Sequence, residues 1–162
     1  MKINLKYLPK RLTLKDKKKQ MNMLMKSRKM YKKGRYYTRK PVKSYVSKKS
    51  NHIENAKKIY HIDRILPDNK LAKVTGCSIK ALSEIVRKGE GAYYSSGSRP
   101  NQTSQSWGIA RLASAISSGK AAAVDFNILE KGCQPNSKAL TLAKRAKRKY
   151  GYGTRRAPKI TV

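Results

Sequence analysis

The chain has few acidic residues, with 8 Asp and Glu against 40 Lys and Arg among its 162 residues. At a formal net charge of +32, self-repulsion disfavours a compact monomer unless an anionic partner neutralises it. The two histidines, His52 and His61, lie far in sequence from the Ser-rich stretch at 95–106, so no nucleophile stands beside a base. We therefore expect neither an enzyme nor a bound cofactor.

Long apolar runs and closely spaced cysteines are also missing. Without a run of about 18 apolar residues, no membrane-spanning helix is predicted. Cys77 and Cys133 are predicted to be buried, reduced thiols, and the sequence leaves a disulfide between them open. A metal site built from these cysteines and the two histidines is disfavoured, because the four residues contain no closely spaced ligand pair.

Positive charge is concentrated at the two ends of the chain. The basic and acidic counts are 19 and 1 in residues 1–50, 12 and 7 in 51–137, and 9 and none in 138–162. This distribution predicts a basic N-terminal helix and extended arm at 1–50, a helical domain at 51–149 and a basic C-terminal tail at 150–162. Segments of this composition should become ordered only against a partner.

Apolar spacing indicates a mainly α fold, with a small multi-helix domain between extended basic arms. Thr13 and Asp16 form a weak capping box before the first helix. Later helices are predicted near 51–60, 71–75, 78–88, 104–118, 120–131 and 135–148, with a Gly- and Ser-rich loop at 90–106. The expected core of the middle domain contains Leu82, Ile85, Val86, Trp107, Leu112 and Ile116.

Residues 71–89 have the spacing of a helix-turn-helix. Ala72 is small where two helices would approach, Gly76 suits a left-handed turn, and Cys77 fills a small apolar position. In a DNA reader, the side chains facing a groove or the backbone would be Ser78, Lys80, Ala81, Glu84, Arg87 and Lys88. The alternative is a plain helical corner that serves packing alone.

Two further segments carry candidate binding residues. Ser98, Arg99 and Thr103, with Asn101 between them, could form a pocket for a phosphate or an acidic chain, or belong to an internally hydrogen-bonded loop. The arm interleaves tyrosine with basic residues, which suits stacking on bases or covering an apolar neighbour. The candidates of the arm are Arg35, Tyr36, Tyr37, Arg39 and Lys40.

The central sequence resembles an uncharacterised family of small basic proteins encoded by large double-stranded DNA viruses of algae and protists. The resemblance rests on KGEGAYYSSGSRPNQT at 88–103, SWGIARLASAI at 106–116 and GKAAAVD at 119–125, and it extends upstream through 9–12, 27–34 and 36–40. It covers most of the chain. No activity is assigned to that family, so the resemblance implies a viral context and a virion component rather than any catalytic residue.

The charge and the resemblance together lead to two functional hypotheses. The first is a minor capsid, or cement, protein on the inner side of an icosahedral shell, assembled in the host cytoplasm. Its basic arms would bind major and other minor capsid proteins within a large hetero-assembly, and contact with a membrane surface stays open. The alternative is a DNA-binding virion protein that condenses or tethers the viral genome through its arms and residues 78–88.

Overall fold

The computed structural model describes residues 1–151 and 158–162, and this part of the chain is mainly α-helical. It contains eight α-helices, one short 3-10 helix at Leu5–Tyr7 and two short strands. The helices are α1 (Leu14–Lys32), α2 (Asn51–Tyr60), α3 (Asn69–Thr75), α4 (Ile79–Ser95), α5 (Ser104–Ile116), α6 (Lys120–Val124), α7 (Phe126–Gly132) and α8 (Lys138–Tyr150). The strands are β1 (Lys2–Asn4) and β2 (Lys159–Thr161). The predicted mainly α, multi-helix fold class is confirmed.

Side-chain caps set the beginnings of several helices. Thr13 accepts a hydrogen bond from the backbone of Asp16 at the start of α1, as predicted. In the same way, the side chain of Asp68 accepts from the backbone of Leu71 at the start of α3, and that of Ser137 accepts from Leu140 at the start of α8. Gly76 ends α3 with a φ of 75°. The predicted helix at 120–131 is instead two short helices, because the backbone departs from helical geometry at Asp125.

The chain divides into two compact units, each described separately below. Unit 1 comprises residues 1–48, residues 90–107 and the described end of the chain from 158. Unit 2 comprises residues 49–89 and residues 108–151 of the described chain. The segment expected to be an arm therefore makes intramolecular contacts that its composition did not predict, although residues 35–42 have neither helix nor strand. The tail predicted at 150–162 lies partly outside the described residues.

Unit 1 has two small cores and a sheet that joins the ends of the chain. β1 and β2 are antiparallel, with Ile3 opposite Ile160. One core contains Ile3, Tyr7, Leu8 and Leu24, and the other contains Leu12, Met23, Val42 and Tyr45. Trp107 packs at the edge of the first core, 6.1 Å from the Tyr7 ring. The prediction that it belongs to the core of the helical domain is wrong, because the aromatic partners come from the N-terminus.

Unit 2 has one larger apolar core. Leu82, Ile85, Val86, Leu112 and Ile116 belong to it, as predicted, and helices α6 to α8 close it with Phe126, Leu129, Leu140 and four alanines. The Tyr60 hydroxyl donates to the carbonyl of Ile116 at 2.5 Å, and burial raises its pKa above the ordinary tyrosine value. This core holds α3 and the first half of α4 in place.

Helix α4 continues through Gly89 to Ser95, beyond its predicted end near 88, so residues 90–95 are helical and the expected loop is shorter. A β-carbon on Gly89 would lie 2.6 Å from the Cα of Gly108 in α5, well inside van der Waals contact. Glycine is thus needed there for the close approach of two helices, not as a stop. The sequence could not separate these two uses of glycine.

Cys77 and Cys133 are both buried and form a disulfide bond, which corrects the prediction of reduced thiols. The two residues face each other as an antiparallel pair, flanked by hydrogen bonds from Ser78 to Gly132 and from Gln134 to Gly76. The cross-link therefore joins the turn after α3 to the end of α7. A separation of 56 residues gives no sequence signal for this pairing.

Candidate polyanion-binding surfaces

A groove of about 440 Å³ lies along α1 on unit 1, and we call it the lysine groove. It is lined by Lys15, Lys18, Lys19, Asn22, Met23, Lys26 and Tyr37. The α1 members recur three, four or seven residues apart, which places them along one helical face. Within the described chain the lining contains no carboxylate, so its charge is uniformly positive.

The segment after α1 forms the second wall of the lysine groove. Lys26 places its ammonium 4.5 Å from the centre of the Tyr37 ring, a cation–π contact. Lys19 donates a hydrogen bond to the carbonyl of Pro41 at 3.1 Å. The groove therefore offers ammonium groups and an aromatic face together, the combination that suits a phosphate backbone with bases beside it.

Asp16 is the carboxylate nearest in sequence to the groove, and it is engaged elsewhere. It accepts the backbone N–H of Ser44 at 2.7 Å. Hydrogen bonds from the Ser44 side chain and backbone hold the pKa of Asp16 below its ordinary value, with help from Lys19 and Lys15. Asp16 thus fixes the 35–48 segment to α1 and stays ionised at neutral pH.

Asn101 attaches the same segment from the other side. Its side-chain oxygen accepts from the backbone of Val42 at 2.7 Å, and its amide donates to the carbonyls of Val42 and Tyr45. Asn101 itself has a φ of 62°, a left-handed conformation that asparagine tolerates better than most residues. This predicted binding residue therefore has a structural role in unit 1.

Arg39 is buried and acts inside the fold. Its guanidinium donates to the hydroxyls of Ser27 and Ser98 at 2.9 Å and to the carbonyl of Tyr93 at 2.8 Å. It also lies 3.8 Å from the centre of the Tyr93 ring. Burial lowers its pKa from the ordinary arginine value, and among the described residues no carboxylate pairs with it. Neutral acceptors and a π-face thus hold this charge.

The end of α4 receives hydrogen bonds from three side chains of unit 1. Arg28 donates to the carbonyl of Ser96 at 2.6 and 2.9 Å, and Ser27 donates to that of Tyr94. Arg39 completes the set at Tyr93. Cationic donors satisfy the last carbonyls of a helix and complement its dipole. The 93–98 stretch is therefore a helix end capped from within.

The predicted pocket at Ser98, Arg99 and Thr103 is dispersed by this packing. Ser98 is buried against Arg39, Arg99 is exposed, and Thr103 caps α5. The Thr103 hydroxyl accepts from the backbone N–H of Ser106 at 3.0 Å, and the Ser106 hydroxyl accepts from the backbone N–H of Thr103 at 2.9 Å. These contacts match the alternative of an internally hydrogen-bonded loop.

Three tyrosines of unit 1 form an aromatic cluster, in which Tyr31 and Tyr36 are exposed and Tyr94 is half-buried. The Tyr36 ring lies 4.9 Å from that of Tyr94 and 6.2 Å from that of Tyr31, and Tyr36 is 70% exposed. Arg35 and Lys40, close to Tyr36 in sequence, are exposed as well. This group could stack against flat ligands such as bases, as the sequence suggested for the arm.

In unit 2, α3, the turn and the first half of α4 have the burial pattern of a helix-turn-helix. Leu82 and Ile85 face the core, whereas Lys80, Arg87 and Lys88 are exposed with Ser78 and Glu84. Ala81, predicted to face DNA, is buried instead. Lys88 lies 3.8 Å from the buried carboxylate of Asp125, which Arg111 holds with two hydrogen bonds of 2.8 Å.

Sequence reasoning missed the lysine groove and the Arg111–Asp125 pair. The spacing of Lys15, Lys18, Lys19 and Lys26 is visible in the sequence, but basic runs usually lie on solvated faces. Among the described residues, no group of His, Cys, Asp and Glu could hold a metal ion. Within the same residues, no helix is long and apolar enough to cross a membrane.

Comparison with known proteins gives one match. The model of a protein family described as a family of unknown function, DUF5824, matches residues 5–137. No curated protein matches the chain. No solved structure matches it either.

Proposed function

We propose that this chain, which belongs to the DUF5824 family of unknown function, is a non-enzymatic virion protein that binds the phosphate backbone of the viral genome. The observation that carries the proposal is the lysine groove, in which four lysines line one face without a carboxylate among them. The resemblance to small basic proteins of large DNA viruses supplies the viral setting. A net charge of +32 supports an anionic polymer as the partner.

The chemistry of the groove favours nucleic acid over an acidic protein surface. Ammonium groups release condensed counterions from a phosphate backbone, and this release gives sequence-independent affinity. Tyr37 within the groove, and the aromatic cluster around Tyr36, add π-faces that stack on any base. Acidic side chains of a protein would use the lysines but gain nothing from these rings.

The first prediction compares two triple variants that remove the same charge. The groove variant loses three ammonium groups from the lysine groove through Lys15→Gln, Lys18→Gln and Lys26→Gln. The control variant loses three exposed lysines outside the groove through Lys17→Gln, Lys32→Gln and Lys43→Gln. We expect the groove variant to bind a random duplex at least tenfold more weakly than the control variant. Its slope of log affinity against log salt should be shallower than that of the parent by about 2 to 3.

Fluorescence anisotropy over a series of salt concentrations measures both quantities. The two triple variants should melt at the same temperature as the parent, since all six lysines are at the surface. Equal weakening by the two variants would mean that diffuse net charge, rather than the groove, binds the polymer. That result would contradict the proposal.

A second candidate is the minor capsid, or cement, protein expected from the sequence. It is favoured by exposed apolar side chains on unit 1, since Leu14 is 88% and Val46 is 78% exposed. Contact with neighbouring major or minor capsid proteins would cover them. We place it second because residues 1–48 are folded in unit 1, which leaves less chain to lie as an arm between subunits.

Particle fractionation separates these two candidates. After nuclease treatment and a high-salt wash of opened particles, a genome-binding protein should leave with the DNA, because phosphate contacts at a surface weaken with salt. A cement protein should remain with the empty shells. Quantitative mass spectrometry of the two fractions gives the answer, with the major capsid protein as the control for shell recovery.

A further inference from the structure

The helix pair of unit 2 has a surface that the lysine groove does not explain. It consists of α3, the turn at Gly76, Cys77 and Ser78, and the first half of α4. Leu71, Thr75 and Cys77 are buried on its inner side. On α4, Ala81, Leu82, Ile85 and Val86 are buried, whereas Ile79, Lys80, Glu84 and Arg87 are exposed along the opposite side. One full face of the second helix is therefore open.

The turn between the two helices is rigid. Gly76 has a φ of 75°, and a β-carbon there would lie 2.6 Å from the Cβ of Ser137. The backbone N–H of Ser78 donates to Gly132 at 2.8 Å, and the disulfide fixes Cys77 between these contacts. The Ser78 hydroxyl accepts from the backbone of Ala81, which caps α4. A helix held in this way is pre-organised for a partner.

The chemistry of the open face fits the major groove of duplex DNA. Lys80 and Arg87 can contact phosphates or the acceptor edge of guanine, and the Glu84 carboxylate can accept from the amino group of cytosine. Ile79, 40% exposed, can contact the methyl group of thymine. Lys88 forms an ion pair with Asp125 and is therefore not counted among these DNA-contacting residues. This face combines two basic side chains with one acidic and one apolar side chain, whereas the charge of the lysine groove is uniformly positive.

We propose that this face of α4 docks in the major groove of duplex DNA, so that unit 2 recognises the duplex while unit 1 holds phosphate without regard to strandedness. The inference rests on the proposed function in that the partner is nucleic acid. It specifies that the nucleic acid is double-stranded and assigns its recognition to a second surface, on unit 2. The consequence is a preference for duplex over single strand that resides in unit 2.

The experiment uses the full chain and two double variants of matched charge. Lys80→Gln with Arg87→Gln alters the proposed face, and Lys144→Gln with Arg145→Gln removes one exposed lysine and one exposed arginine from α8 of the same unit. Each is titrated with a 20-base-pair duplex, with a 20-nucleotide single strand and with poly-glutamate. We expect the first variant to lose about tenfold more duplex affinity than single-strand affinity, while the second loses both equally.

Equal losses for duplex and single strand in the Lys80/Arg87 variant would overturn the inference. A loss confined to poly-glutamate would also overturn it and would assign the face to an acidic protein. Failure of the proposed function would look different. Either the parent protein would bind neither the duplex nor the single strand, or the triple variant of the lysine groove would bind the single strand as tightly as the parent does. All four altered side chains are exposed, and matching thermal melts verify that the variants are folded.

Discussion

Reducing the disulfide between Cys77 and Cys133 should lower the free energy of unfolding of unit 2 by about 4 kcal/mol. The cross-link closes a loop of 56 residues, and the entropy that such a loop removes from the unfolded chain corresponds to about this value. The buried pair also joins the turn after α3 to the end of α7. Denaturant titration with and without a reducing agent, followed by circular dichroism, measures the difference.

The double variant Cys77→Ala with Cys133→Ala is the control for this prediction. It should have the lower stability under both conditions and should not respond to the reducing agent. Thiol titration of the unreduced, denatured parent should find no free thiol, because both cysteines of the chain are in the bond. Two reactive thiols, or a stability that is unchanged by reduction, would refute the disulfide.

Replacing Arg39 by alanine should cost about 3 to 5 kcal/mol of the stability of unit 1. The change removes three hydrogen bonds from a charged donor and leaves the Tyr93 carbonyl and the hydroxyls of Ser27 and Ser98 without it. It also opens space against the Tyr93 ring. Thermal unfolding followed by near-ultraviolet circular dichroism, which reports on the tyrosines and Trp107, is the appropriate measurement.

Arg35→Ala is the matched control, because it removes the same side chain from an exposed position in the same segment. It should change stability by less than about 0.5 kcal/mol. Arg39→Lys should restore only part of the loss, since an ammonium group cannot reproduce the planar fork of the guanidinium. If Arg39→Ala were as stable as Arg35→Ala, the arginine would be a free binding residue after all.

The helices and their caps were largely readable from sequence because they depend on neighbours a few residues away. Thr13 and Gly76 act locally, and the sequence predicts the first as a cap and the second as a turn residue. The inward positions Leu82 and Ile85 follow from helical period alone. The mainly α fold could therefore be predicted.

The errors concern contacts between distant parts of the chain. The sequence places Arg39 among the candidate binding residues, because its acceptors at Tyr93 and Ser98 are more than fifty residues away and give no local signal. The helix predicted near 78–88 ends too early, because the contact that requires glycine at position 89 comes from Gly108 on another helix. The lysine groove has a visible spacing in α1, but its second wall at Tyr37 depends on tertiary packing. Periodicity reports which face is polar and not what stands opposite it.

The pairing of β1 with β2 has a consequence for the order in which the chain folds during synthesis. Ile3 is fully buried, and its strand partner Ile160 is translated long after it. The described residues of unit 2, 49–89 and 108–151, are all translated before residues 159–161, so we expect unit 2 to be able to fold while β1 is still unpaired. Until residues 159–161 are translated, the lysines of unit 1 belong to an incompletely folded part of the chain. We therefore expect a stage of synthesis at which unit 2 is folded and the more basic unit 1 still lacks its sheet.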